Sequence, residues 1–159
     1  MVFIFSCSKD DTDNKTNKKA DDLQSSFSNL EINGNISSNQ NFKLIAKKAT
    51  LSKENNLINL TGIKFFIENN KKIVYKIDSE KGSYSKLKKI IILENNQAST
   101  NKKISFSSRK INFLENTSTI RADKIDLNYY EHKISAQSLT IDKDQANFTM
   151  KNVRAKLKY

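Results

Sequence analysis

Phe106-x-Ser108-x-x-Ile111-x-Phe113 is followed by Ile120-x-Ala122-x-x-Ile125-x-Leu127, by Ile134-x-Ala136-x-x-Leu139-x-Ile141 and by Phe148-x-Met150-x-x-Val153-x-Ala155, each copy starting 14 residues after the last. The same spacing runs upstream through Leu44-x-Ala46-x-x-Ala49-x-Leu51, Ile58-x-Leu60-x-x-Ile63-x-Phe65, Ile77-x-Ser79-x-x-Gly82-x-Tyr84 and Ile91-x-Leu93-x-x-Asn96-x-Ala98. Its phase jumps once between the second and third of these copies and by one residue before Phe106. Several positions in the upstream copies are polar, so the match there is looser. Within each copy the apolar residues alternate, slip by one, and alternate again. A strand that bends at its middle keeps its side chains on one face with that pattern, whereas helical spacing does not fit it.

Between copies lie polar segments such as Glu115-Asn116-Thr117-Ser118, Tyr130-Glu131-His132-Lys133 and Asp142-Lys143-Asp144-Gln145, which are turn formers. Bent strands joined by short turns become antiparallel neighbours. The expected fold is therefore all-β: a long antiparallel sheet folded on itself, apolar inside and polar outside. Ala46, Ala49, Ser79, Gly82, Ala98, Ser108, Ala122 and Ala136 are small residues at inward positions. Either they pack against larger partners across the fold, or they leave a groove able to accept long apolar ligands. The sequence leaves both readings open.

Composition narrows the function. The chain has 159 residues with 28 Lys+Arg against 17 Asp+Glu, a net charge of +11, three Gly, no Pro, no Trp, one Cys and one His. One Cys rules out a disulfide framework, and one Cys with one His cannot complete a zinc site. Three glycines exclude a P-loop and a Gly-x-Gly-x-x-Gly fingerprint, so no nucleotide cofactor is expected. No catalytic constellation stands out either. His132 falls in a turn, and Asp123 with Asp126 and Asp142 with Asp144 fall at outward or turn positions with lysine neighbours, where solvated charge is the default. The reading is of a protein that is not an enzyme and carries no metal.

The N-terminal run Met1-Val2-Phe3-Ile4-Phe5-Ser6-Cys7 is too short to cross a bilayer. It is read as a partial, lipobox-like signal or anchor remnant over residues 1–7, with Cys7 either the lipidation site or an ordinary thiol. Residues 8–27 are polar and read as a flexible tether; residues 28–159 read as one domain.

The run Asn41 to Leu51 with Asn56-Leu57-Ile58-Asn59-Leu60 resembles the first block of the LptC family of lipopolysaccharide-export proteins. Ile77-Asp78-Ser79-Glu80-Lys81-Gly82-Ser83-Tyr84 resembles that family's Ala-x-x-Gly-x-Tyr segment, with Ser79 in the place of Ala. Ile120 to Leu127 and Phe148 to Arg154 complete a likeness over residues 28–158. The resemblance implies a twisted, open β-jellyroll, anchored at the periplasmic face of the inner membrane. It would receive lipopolysaccharide from the periplasmic jellyroll of the inner-membrane ABC transporter and pass it to an LptA-like bridge protein.

On that basis the inward residues Leu60, Phe65, Ile91, Leu93, Phe106, Phe113, Ile120, Leu127, Ile134 and Ile141 are candidate lipid-lining positions. Leu30, Ile32 and Ile36 at one edge and Phe148, Met150, Val153 and Leu157 at the other are candidates for strand pairing with partners. The alternatives are an LptA-like soluble bridge protein and a basic β-sheet scaffold that binds no lipid. The positive charge suits lipopolysaccharide phosphates or an anionic membrane, and it equally fits a lysine-rich compositional bias. Nucleic acid is not expected, because the cations are nearly all lysine and the aromatics follow the apolar phase.

Overall fold

The computed structural model describes residues 25–52, 56–100, 104–142 and 148–157. Ten strands form one antiparallel sheet: β1 (Ser25–Asn35), β2 (Gln40–Ser52), β3 (Leu57–Asn69), β4 (Lys72–Ser85), β5 (Ile90–Thr100), β6 (Ile104–Leu114), β7 (Thr119–Tyr129), β8 (His132–Ile141), β9 (Phe148–Lys151) and β10 (Arg154–Lys156). From β1 to β8 each strand pairs with its neighbours in sequence, and β9 and β10 both pair with the outer side of β8. The all-β, bent-strand architecture expected from the repeat is what the chain adopts. Every copy from Leu44 onward falls on a strand, with the last divided between β9 and β10.

The slip inside each copy has a definite backbone form. Along the sheet one residue pair is skipped in every ladder: Asn29 with Lys47, Lys47 with Gly62, Gly62 with Glu80, Glu80 with Asn95, Asn95 with Arg109, Arg109 with Lys124, and Lys124 with Gln137. The skipped residues form a seam that crosses the strands from one edge to the other. Every second seam residue has a left-handed backbone: Asn29 (φ 54°), Gly62 (φ 62°), Asn95 (φ 55°) and Lys124 (φ 50°). Asn152 (φ 52°) continues the series where the last strand breaks into β9 and β10. Gly has no Cβ penalty in that region and Asn tolerates it, which accounts for four of the five residues found there. Lys124 is the exception.

The seam divides every strand into two arms that face each other across the apolar interior. Towards β1 this interior is filled. Phe42 and Phe65 of the first arm meet Phe113 of the second, with ring centroids 5.2 and 5.4 Å from that of Phe113 and 5.9 Å from each other. Leu44, Ala46, Ala49, Phe65, Ile67, Ile91, Leu93 and Ile111 have no exposed surface around this cluster. Small residues here pack against large ones. A Cβ on Gly82 would lie 2.4 Å from the Ile92 carbonyl oxygen and 2.7 Å from Ile63 Cδ1, so only glycine allows that approach.

At the middle of the sheet the inward positions Ser79, Asn96 and Ser108 depart from the apolar pattern. Asn96 is buried, and its amide is fully engaged: Nδ2 donates to Leu93 O (3.1 Å) and Ser108 Oγ (3.2 Å), while Oδ1 accepts from Ser79 Oγ. A buried amide is tolerated when its donors and acceptor are all met.

The two arms are clasped at the same end of the sheet. Ser118 Oγ, in the turn between β6 and β7, donates to the carbonyl of Ile36 in the turn between β1 and β2 (3.3 Å). Glu115 opens the former turn and is half-buried with Oε1 unpartnered. Burial raises its pKa, against a hydrogen bond from Tyr84 and the charge of Lys89, which lower it. Tyr84 in turn is pushed up to about 12, mainly by burial and then by the Glu115 carboxylate.

Two outcomes follow from these features. Lys124→Asn is expected to stabilise the fold by about 1 kcal/mol and Gly62→Val to destabilise it by at least that much, measured by urea unfolding. Because the Glu115 carboxyl titrates higher in the folded chain than in the unfolded one, its charge opposes folding at neutral pH. That penalty vanishes as pH falls below the unfolded-state value. Glu115→Gln should therefore raise the Tm at pH 7.5, with the difference closing towards about pH 4.

Candidate functional site

Away from the aromatic cluster the arms separate. Between them, at the β9 side of the sheet, lies an apolar cleft of about 180 Å³. The first arm contributes Tyr75, Thr100, Ile104, Phe106 and Leu127, and the second contributes Leu139, Ile141, Phe148 and Met150. Eight of these nine side chains are apolar or aromatic, and they come from β4, β5, β6, β7, β8 and β9. The volume is comparable to that of apolar protein cavities of about 150 Å³ that remain dry and accept benzene. A cleft of this kind binds by removing apolar surface from water, at about 25 cal/mol per Å². Burial raises the pKa of the Tyr75 hydroxyl at its rim.

The cleft is formed where the second arm runs out of partners. Phe148 is 67% exposed and pairs across the ladder with Ile141. Met150, opposite Leu139, is only half-buried. Beyond the break at Asn152, Val153 and Leu157 are each about half exposed. The sheet's last strand thus leaves apolar side chains uncovered beside the opening.

Of the candidate lipid-lining residues, Phe106, Leu127 and Ile141 line the cleft. Leu60, Phe65, Ile91, Leu93, Phe113 and Ile120 lie in the closed part of the interior, and Ile134 is half-buried in β8 opposite Leu127. The candidate edge residues sit on or directly beside the first and last strands. Leu30 and Ile32 point into the core, Ile36 packs against it beside the clasp, and the backbone of β1 has β2 alone as its neighbour. Tyr75, Thr100, Ile104 and Leu139 were not singled out as lining residues. Leu139 occupies an inward position of the repeat, and the alternation in Ile104-x-Phe106 extends the same phase; the other two would have required knowing which arm faces which. Cys7 lies outside the described residues.

The outer face carries two open, polar depressions of about 720 Å³ each along the seam, lined by charged residues that include Lys47, Glu80, Arg109, Asp123 and Lys124. Asp126 accepts a hydrogen bond from Ser135 Oγ (2.6 Å), Lys43 pairs with Glu31 (2.9 Å) and Lys76 with Asp78 (3.2 Å). Among the described residues no three His, Cys, Asp or Glu side chains converge as a metal site, and no helix is long and apolar enough to cross a membrane.

A single open antiparallel sheet, bent over an apolar cleft and ending in an edge strand on either side, defines an open β-jellyroll. The same fold occurs in a solved structure with a TM-score of 0.52 and 6% identity, over 74% of this chain and 95% of the other. That protein is LptH of Pseudomonas aeruginosa, described as the LptA-homologous periplasmic component of the conserved lipopolysaccharide transport device. A search among curated proteins finds no match. The sequence matches the family described as "Lipopolysaccharide-assembly, LptC-related" over residues 1–158, and the chain belongs to that family. Its setting is therefore lipopolysaccharide transport in the cell envelope, and its family is one of transport proteins rather than enzymes.

If the cleft is an apolar binding site, a charge at its wall will abolish binding. Leu127→Asp is expected to reduce the fluorescence titration of an apolar dye by about tenfold or more, whereas Asn112→Asp on the outer face of β6 leaves it unchanged.

Proposed function

We propose that this chain is a periplasmic handover module for lipopolysaccharide, held at the inner membrane. It takes lipid from the periplasmic jellyroll of the ABC transporter and releases it to an LptA-like bridge protein. The observation that carries this reading is the apolar cleft opening at the β9 edge of a sheet whose other end is clasped shut. Membership of the LptC-related family supports it.

In this mechanism the acyl chains enter between Phe106 and Leu127 on one arm and Ile141 and Met150 on the other. Leu60, Phe65, Ile91, Leu93, Phe113 and Ile120 form the closed core behind the cleft, and Ile134 lies opposite Leu127 on β8. Sugars and phosphates remain outside, at a mouth surrounded by a strongly basic chain. No bond is made or broken. Directionality comes from the transporter, and the module supplies a surface whose affinity arises from excluded water.

Edge strands with unpaired backbone groups add further strands. Docking at β1, over Leu30 to Ile36, and at β9 and β10, over Phe148 to Leu157, would extend the sheet through both partners. The exposed apolar side chains of Phe148, Val153 and Leu157 favour the second edge as the site where an incoming jellyroll covers the open cleft.

Site-specific photocrosslinking tests the reading. With lipopolysaccharide, probes at Leu127 and Met150 are expected to give lipid adducts, and a probe at Asp123, on the outer face of β7, to give none. Equal labelling at all three positions, or none in a folded protein, would refute lipid entry into the cleft.

A further inference from the structure

The run Ile90-Ile91-Ile92-Leu93 is apolar in both phases of the alternation. Ile91 and Leu93 are buried in the interior, so Ile90 and Ile92 point to the outer face of β5, where both are half-covered. They line a shallow outer depression with Leu57 and Leu87. Nothing about lipid carriage inside the jellyroll calls for aliphatic residues there.

Leu87 crowns this depression. It is 78% exposed, the highest value among the large apolar residues described. It stands at the tip of the β4–β5 hairpin in the run Ser85-Lys86-Leu87-Lys88-Lys89, whose last four residues form the turn. The turn is built rather than slack: the Lys88 backbone N–H donates to Ser85 Oγ (3.3 Å), Lys89 adopts φ 52°, and its carbonyl accepts from the Glu115 N–H (3.0 Å). Lys86, Lys88 and Lys89 are all exposed around it. The carboxylate set beside the tip is that of Glu115, half-buried next to Lys89.

An aliphatic side chain at the apex of a rigid turn, ringed by lysines and backed by further aliphatics, matches the cross-section of an anionic bilayer surface. Apolar groups enter the acyl boundary, and ammonium groups stay at the level of the phosphates. We propose that the β4–β5 hairpin tip is a membrane-docking site that inserts Leu87 among the headgroups of an anionic phospholipid bilayer. The charge complementarity selects the bilayer as occupant. A single inserted leucine with three lysines gives weak, reversible contact. The tip belongs to β4 and β5, in the middle of the strand order, and leaves both edge strands open.

The test is co-sedimentation of the full chain with vesicles of phosphatidylethanolamine and phosphatidylglycerol, against vesicles of phosphatidylcholine alone. The protein is expected to bind the anionic vesicles and not the zwitterionic ones. Leu87→Asp and the double change Lys88→Gln with Lys89→Gln should each weaken that binding by about tenfold. Lys72→Gln with Lys133→Gln removes the same charge at the opposite ends of strands and should change it by less than about twofold. All these side chains are exposed, and unchanged thermal unfolding of each variant confirms that the fold is intact. The proposal is overturned if the full chain fails to bind anionic vesicles, if both lysine pairs matter equally, or if Leu87→Asp binds as the parent does.

Discussion

The seam of skipped residue pairs is the constraint on which the rest of this molecule depends. A flat antiparallel sheet of these strands would leave one apolar face in water. By stepping every ladder past one pair at the same level, the chain folds that face onto itself without losing registry on either arm. Alternating left-handed residues produce the step, which is why Asn and Gly recur there while the sequence has only three glycines in all.

From the seam follows an interior that changes along its length. Near β1 the arms meet through the Phe42, Phe65 and Phe113 rings, and the Ser118 to Ile36 hydrogen bond holds their tips together. Near β9 the final strand breaks at Asn152, and the arms part into a cleft edged by Tyr75, Phe106 and Phe148. The small inward residues pack against larger ones: beside Ile63, Gly82 makes room for a larger neighbour, and none of the eight lines the cleft.

Much of this was legible in the residues. The four inward positions of each copy, the interruption between the second and third, and the location of the bend all appear in the spacing, because side-chain alternation directly encodes which face a strand buries. What alternation does not encode is how close the opposite arm comes. Phe65 and Phe106 occupy equivalent phases, yet Phe65 lies in a sealed core and Phe106 in an open cleft. That difference depends on Phe42 and Phe113, which are far away in sequence. Asn96 reads as a weak copy of the repeat, although its polar side chain is accommodated by Ser79 and Ser108 on the flanking strands. The polarity of inward positions on neighbouring strands carries that signal, once the hairpin registers are known.

From β1 to β9 backbone pairing joins only sequence neighbours, which gives the molecule an unusual kind of modularity. No distant strand has to be threaded between two others, so the sheet is close to a one-dimensional array, whose stability is a sum over hairpins. Strand separations of about 4.8 Å mean that duplicating one hairpin would lengthen the interior by roughly 10 Å. Insertion of a single strand would instead reverse the direction of everything after it and present the terminal edge upside down. Length in such an array can therefore grow only in even steps, and the orientation of its far edge is preserved by parity alone.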